Sequence, residues 1–270
     1  AAADVGFSPA LRVYHSPYST VTWATTLRLK AQHHDHVAAR LASVRAYDAS
    51  GYQALSLMDY SGAPLLPYAL HKRLWPPEDF GITSDVQIAL HSLRLFIPNA
   101  EEVGESAYHF TSPFLVSYIQ KYEVAVTATA QQENEYSGPQ QAIDIIARKG
   151  GFPILAHPWN DPRTYSALVG YRGVEIYSAY ASVMTRRGYG MFRGSDKNGV
   201  MQKFWDKLLA KDQSILGIAV NDHFGPDADP STVDRDLQDS GKIIVFAPAS
   251  DLVSYRQALD RKSTRLNSSH

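Results

Sequence analysis

Leu27-Arg28-Leu29-Lys30-Ala31-Gln32-His33-His34-Asp35-His36 is a run of alternating apolar and polar residues that ends in four ionisable side chains. Alternation with a period of two marks a strand with one buried face, so a strand is expected over about 26–36. Side chains i and i+2 of a strand share a face. His34 and His36 would therefore point together and could converge on one metal ion, while His33 would face the other way. Imidazole is a common ligand for Zn²⁺, Fe and Mn²⁺. Two histidines alone are weak evidence, and their weight depends on what stands at the later strand ends.

Outward from that run the chain alternates. Val37 to Tyr47 has helical spacing and is stopped by Gly51. Short apolar strands follow at Ala54–Met58, running into Asp59, at Leu93–Pro98, running into Glu101, and around Ala107–Phe110, which contains His109. Glu123–Thr129 is a β-branched run. Pro139 opens a helix whose Ile143, Ile145 and Ile146 form a stripe before Gly150-Gly151. Phe152–Ala156 delivers His157-Pro158-Trp159, and Gly173–Tyr177 is a further strand. A helix over about 197–211 precedes the strand Ile215–Val220, which leads into Asn221-Asp222-His223. Lys242–Phe246 and Leu252–Leu259 read as a last strand and helix. Strand, cation-capable tip, helix, strand is the pattern of a largely parallel α/β sheet or barrel, whose chemistry sits at the C-terminal strand ends.

Each tip has an ordinary reading taken singly. Asp59 before Ser61-Gly62 suits a turn, Glu101 suits a solvated surface, His109 suits a core, and Asp222 suits a helix cap. Burying so many ionisable groups without partners would be costly, and a shared cation accounts for them together.

Composition narrows the rest. The 270 residues are 44% hydrophobic and 20% charged, with a net charge of −1. No basic surplus provides a strong nucleic-acid footprint. With no cysteine, a metal must be held by His, Asp and Glu. No run of about 18 apolar residues suggests a membrane span. Residues 1–10 have neither the basic start nor the apolar core of a signal peptide, and compartment stays open. Residues 1–25 read as a covering segment and 26–259 as one catalytic domain. The ending, Asp260-Arg261-Lys262-Ser263-Thr264-Arg265-Leu266-Asn267-Ser268-Ser269-His270, is what a common sequencing adapter would encode in frame. It is expected to be non-native and to stand outside the fold.

Taken in order, Lys30 to His36, Gly51-Tyr52-Gln53-Ala54-Leu55-Ser56-Leu57-Met58-Asp59, Pro98-Asn99-Ala100-Glu101, His109, Ala156-His157-Pro158, Gly173-Val174-Glu175-Ile176-Tyr177 and Asn221-Asp222-His223 resemble the motifs of the polymerase and histidinol phosphatase (PHP) superfamily. The resemblance covers about 26–259. It implies a distorted (β/α)₇ barrel with a multinuclear metal centre that mostly hydrolyses phosphoesters. It also implies that His34, His36, Glu101 and Asp222 hold one ion, and that Glu101 bridges to a second held by His109 and His157. Two departures stand out. Tyr60 replaces the histidine that commonly serves a third ion, so two divalent ions (Zn, Mn or Fe) are expected. The late motif is compressed, so either Asp222 is the ligand, with Phe224 in the place of the family's histidine, or His223 takes that place, with Asn221 standing for the aspartate. Asp222 is favoured because an anion offsets the charge of two cations.

The expected activity is phosphoester hydrolysis of a small-molecule or nucleotide substrate. Catalytic roles fall to His223, as a proton donor, and to Asp59. Substrate contacts fall to Tyr177, Arg163, Arg186 and Arg187, since guanidinium forks suit phosphoryl oxygens. Hydrolysis of a non-phosphate bond, or a metal-binding module without turnover, are the alternatives. Glu175 reads as a buried carboxylate, either structural or orienting a ligand.

Overall fold

The computed structural model describes residues 22–37, 41–56, 58–60, 71–73, 83–97, 103–105, 108–115, 120–122, 132–134, 138–159, 162–188, 190–211, 215–222, 241–261 and 264–268. The alternating run forms β1 (Leu27–Gln32), the centre of a five-stranded sheet. β14 (Gly241–Ala247) flanks it antiparallel and β3 (Ala54–Leu55) parallel, with β6 (Leu95–Phe96) parallel beyond β3. A second five-stranded sheet runs β13 (Leu216–Val220), β12 (Gly173–Ser178), β11 (Ile154–Leu155), β8 (Tyr108–Thr111), β7 (Val103–Glu105). Its first three strands are parallel and its last two antiparallel. Smaller ladders join β2 (His36–Val37) to β4 (Met58–Tyr60) and β5 (His71–Arg73), and β9 (Gln120–Tyr122) to β10 (Gln132–Asn134).

Period-two burial brings the two large sheets together. Leu29 and Ala31, Ala54, Leu95, Ile154, Leu216 and Ile218, and Ile243 and Val245 share one inner core with Tyr255, Ala258 and Leu259 of α7 (Leu252–Asp260). The outer faces are covered by helices. α1 (Leu41–Ala49) packs Val44 and Tyr47 with Leu55 and Phe96 of the first sheet. α3 (Pro139–Arg148) and α6 (Lys197–Ala210) pack Ile143, Ile146, Phe204 and Leu208 with Val174 and Ile176 of the second. α3 starts with Pro at its first turn, where the missing N–H is harmless. It ends at Gly150, whose φ of +82° suits the residue that follows a helix. Short helices α2 (Ser84–Ile88), α4 (Pro162–Tyr165) and α5 (Ala179–Arg186) complete the described α-helices.

A mixed α/β architecture with parallel-rich sheets is thus present. Among the described residues no ladder closes the sheets into a ring. At β13 and β14 they meet through a side-chain seam instead. Gly241 of β14, whose carbonyl accepts from Gln32 Nε2 of its own sheet at 2.6 Å, donates its N–H across to Asn221 Oδ1 at 3.0 Å. The approach is so close that a Cβ at Gly241 would overlap the Val220 carbonyl, which is why glycine stands there.

Two expectations are corrected. The run expected as one strand to 36 breaks after Gln32: residues 33–35 lie in no ladder, and His36 pairs with Met58 in a separate one. The ending also does not stand outside the fold: Thr264–Ser268 forms β15, antiparallel to β14. That ladder uses main-chain groups alone, and an open strand edge pairs with any extended segment that reaches it. The β-branched run 123–129 lies outside the described residues. No helix among the described residues is long and apolar enough to cross a membrane.

His33 faces away from His34 and is fully buried against α7. Its Nε2 lies 2.7 Å from the Tyr255 hydroxyl, and its Nδ1 has no partner among the described residues. The tautomer that leaves no N–H unpaired carries its proton on Nε2 and donates to Tyr255. Burial lowers the His33 pKa from 6.5 to about 3, so the folded protein refuses a proton that the unfolded chain accepts. The associated stability is fully present above pH 6.5 and is lost as pH falls from there toward 3. Between pH 7 and 5 this group alone should remove about 2 kcal/mol. Urea titrations of metal-free protein should show this steeper acid loss relative to a His33→Gln chain; parallel pH profiles would contradict it.

Candidate metal centre

The centre forms where β1, β11, β12 and β13 end. One ligand atom from each of His34, His157 and Asp222 lies within 4.8 Å of the other two. His34 is fully buried, Asp222 nearly so, and His157 half-buried. His34 Nε2 stands 3.3 Å from Asp222 Oδ1. Two ligand atoms each about 2.1 Å from a common ion stand about 3.3–3.4 Å apart near the tetrahedral angle, so this pair already has the spacing of two ligands on one cation.

Glu175 braces the set from behind. Its Oε1 accepts from His34 Nδ1 and its Oε2 from the His157 N–H, both at 2.7 Å. A carboxylate only accepts, so the His34 proton sits on Nδ1, and the Nε2 lone pair is turned toward Asp222 and His157. Glu175 is fully buried on β12, next to a register shift between Glu175 and Tyr177. Bulges of this kind re-aim side chains beside active sites. On the other side Ser178 Oγ donates to Asp222 Oδ2 at 3.3 Å and also caps α5 by accepting from the Ala181 N–H.

Backbone strain is concentrated here. His157 and Asp222 have φ of +29° and +55°; Phe114 is the other described non-glycine residue with positive φ. Such conformations cost about 1–3 kcal/mol each and persist where the surroundings over-determine them, commonly at functional sites. In both cases the strain turns a strand-end side chain into the cluster.

His109 joins from β8, with its ring 4.9 Å from that of His157. Trp159 stacks on the other face of the region, 4.5 Å from the His157 ring, and is itself held by Phe192. The remaining expected residues fare differently. His36 and Asp59 are placed as strand backbone, in the paired β2 and β4, and Glu101 and His223 lie outside the described residues. Tyr177 packs against the inner core. Arg163, on α4, lines a cavity of about 530 Å³ with Lys203 and Lys207 of α6 and Lys211 just past its end, and none of the ligand residues lines it. Arg186 and Arg187 are exposed at the end of α5. Sequence reasoning missed Asp35, Tyr47 and Ser178, and weighed Asn221 only as a stand-in ligand, not as the partner of Asp35. Only Asp35 and Asn221 carried a signal, as polar neighbours of candidate ligands.

No family model matches the chain, and no curated protein matches it significantly. Among solved structures it is similar to the crystal structure of a two-domain protein from Bacteroides vulgatus ATCC 8482 that contains a predicted PHP-like metal-dependent phosphoesterase. The TM-score is 0.53 at 18% identity, over 89% of this chain and 64% of that one. This chain therefore spans just under two thirds of that protein's length, and at this identity the likeness is one of fold. The chain is thus similar in fold to a protein that contains a predicted PHP-like domain.

Proposed function

We propose that the protein is a metal-dependent hydrolase that cleaves a phosphoester with water activated at a two-ion centre, set at the strand ends of a distorted (β/α)₇ arrangement. The observation that carries this reading is the convergence of His34, His157 and Asp222, with Glu175 holding two of them and strained backbone at two. Nitrogen and carboxylate donors of this kind suit Zn, Mn or Fe. His36 and Glu101 complete the first ion's ligands with His34 and Asp222. Glu101, His109 and His157 would hold the second. Divalent ions bound there supply a water of lowered pKa and Lewis-acid stabilisation of the phosphoryl oxygens. The chain's own contribution is to fix the donors. Glu175 sets the His34 tautomer, Ser178 orients Asp222, and Trp159 shields the His157 ring. His223, with Asp59, serves proton transfer to the leaving alkoxide.

The test is a panel of phosphomonoesters and phosphodiesters assayed with metal-free and metal-loaded protein. Turnover should vanish on chelation and return with Zn²⁺, Mn²⁺ or Fe²⁺. Elemental analysis should give two ions per chain, because Tyr60 is a poor ligand for a third; three tightly held ions would contradict this. Metal binding without turnover of any ester would point to a non-catalytic module.

Recognition of the phosphoryl oxygens is assigned to arginine. Arg163→Ala, or Arg186→Ala with Arg187→Ala, should raise KM about tenfold or more with metal content unchanged. If neither change alters KM or kcat, hydrolysis of a non-phosphate bond becomes the better reading.

A further inference from the structure

The residues flanking the ligands form a buried network of their own. Asp35 follows His34 in the chain and is fully buried. Its Oδ2 accepts from the Tyr47 hydroxyl of α1 and, at 3.4 Å, from Asn221 Nδ2. The same Asn221 Nδ2 lies 3.2 Å from the Tyr47 oxygen, and Asn221 Oδ1 accepts from the Gly241 N–H. Gln32 Oε1 accepts from the His33 and His34 N–H groups at 3.1 and 3.2 Å and more distantly from that of Asn221. Main chain completes the tie: the Asp222 N–H donates to the His34 carbonyl at 3.0 Å. The two ligands that already have ion-like spacing, His34 and Asp222, thus each have a neighbour in the chain whose side chain reaches across to the other strand end.

We propose that Asp35, Tyr47 and Asn221 are positioning residues for the cation held by His34 and Asp222, acting by locking the ends of β1 and β13 in register. The proposal rests on the metal-dependent reading above. Stability alone is a poor reason for such a network, because a buried carboxylate and amide are expensive to desolvate and an apolar filler of the same volume often serves a core as well or better. What the polar groups add is direction. They fix the offset between two strands that share no ladder in the described residues, and they hold Asn221 immediately before the strained Asp222. Because Tyr47 comes from α1, the network also ties an outer helix to the metal centre.

The experiment compares two deletions of one buried hydroxyl beside the same tripeptide. Tyr47→Phe removes the hydroxyl that meets Asp35 and Asn221. Tyr255→Phe removes the one that meets His33 on the opposite face; both tyrosines are fully buried. Metal-free protein is titrated with Co²⁺, reading dissociation constants and the ligand-field spectrum. Tyr47→Phe should weaken Co²⁺ binding about ten- to a hundredfold, the usual effect of losing an outer partner of a ligand, and shift the spectrum. Tyr255→Phe should leave both close to the wild type. Asp35→Asn, which keeps the size and one acceptor, should fall between wild type and Tyr47→Phe, and carries the test if Tyr47→Phe does not fold. Equal losses in both tyrosine variants would reduce the network to ordinary packing and overturn the proposal. Unchanged Co²⁺ binding in Tyr47→Phe and Asp35→Asn would overturn it while leaving the metal centre standing. A wild-type protein that binds no Co²⁺ would overturn the metal-dependent reading and this inference with it.

Discussion

His157→Ala is expected to leave a folded protein that has lost one tightly held ion and most of its turnover, with kcat/KM down on the order of a thousandfold or more if that ion activates the water. The size of the effect follows from position. His157 is reached through a left-handed backbone turn, lies within ligand distance of His34 and Asp222, and packs against the rings of both His109 and Trp159. The substitution also relieves little strain, because alanine is no better suited to φ of +29°. Loss of activity should therefore not be offset by a gain in stability. Elemental analysis and steady-state kinetics on one preparation check this, and retention of both ions with normal kcat would remove His157 from the centre.

The second large effect should come from Glu175→Gln, a change that conserves shape and contacts no substrate. Both carboxylate oxygens now accept, one from the His34 ring and one from the His157 main chain. Glutamine offers one acceptor and one NH₂ group, so a buried donor must face another donor. One escape moves the His34 proton from Nδ1 to Nε2, which points an N–H where a lone pair is needed. Either result predicts metal affinity weakened about ten- to a hundredfold. The metal-free protein should also lose about 1–3 kcal/mol through the unpaired buried donor. Competition against a chelator measures the first effect and denaturant titration the second. Glu175→Asp, which keeps both acceptors on a shorter stem, should lose less affinity. If Glu175→Gln binds metal like the wild type, the carboxylate is structural and does not orient the histidines.

Sequence by itself determined the local elements and the candidate ligands. Leu27 to Ala31 alternates because one face is buried in the inner core, and Ile143 and Ile146 share a helical stripe because that stripe lies on the second sheet. These patterns are local, so spacing reveals them. His34, His157 and Asp222 were visible for the same reason, each standing at the end of such a pattern. Glu175 was visible only as a carboxylate within an apolar strand, and sequence left its role open. Its partners lie 141 residues away at His34 and 18 away at His157, and nothing in chain spacing encodes such a contact. Asp35, Tyr47 and Asn221 were hidden in the same way, joined across 12 and 186 residues. The left-handed turns at His157 and Asp222 were also out of reach: His and Asp adopt positive φ more readily than most residues, yet only a small fraction of them do so, and here the packing around them imposes it. The sheets' meeting at β13 and β14 was decided late as well, by a glycine whose missing side chain lets two backbones touch. Periodicity reports which face of a segment is buried, whereas the partner that buries it, and the strain it can impose, exist only once distant segments have been brought together.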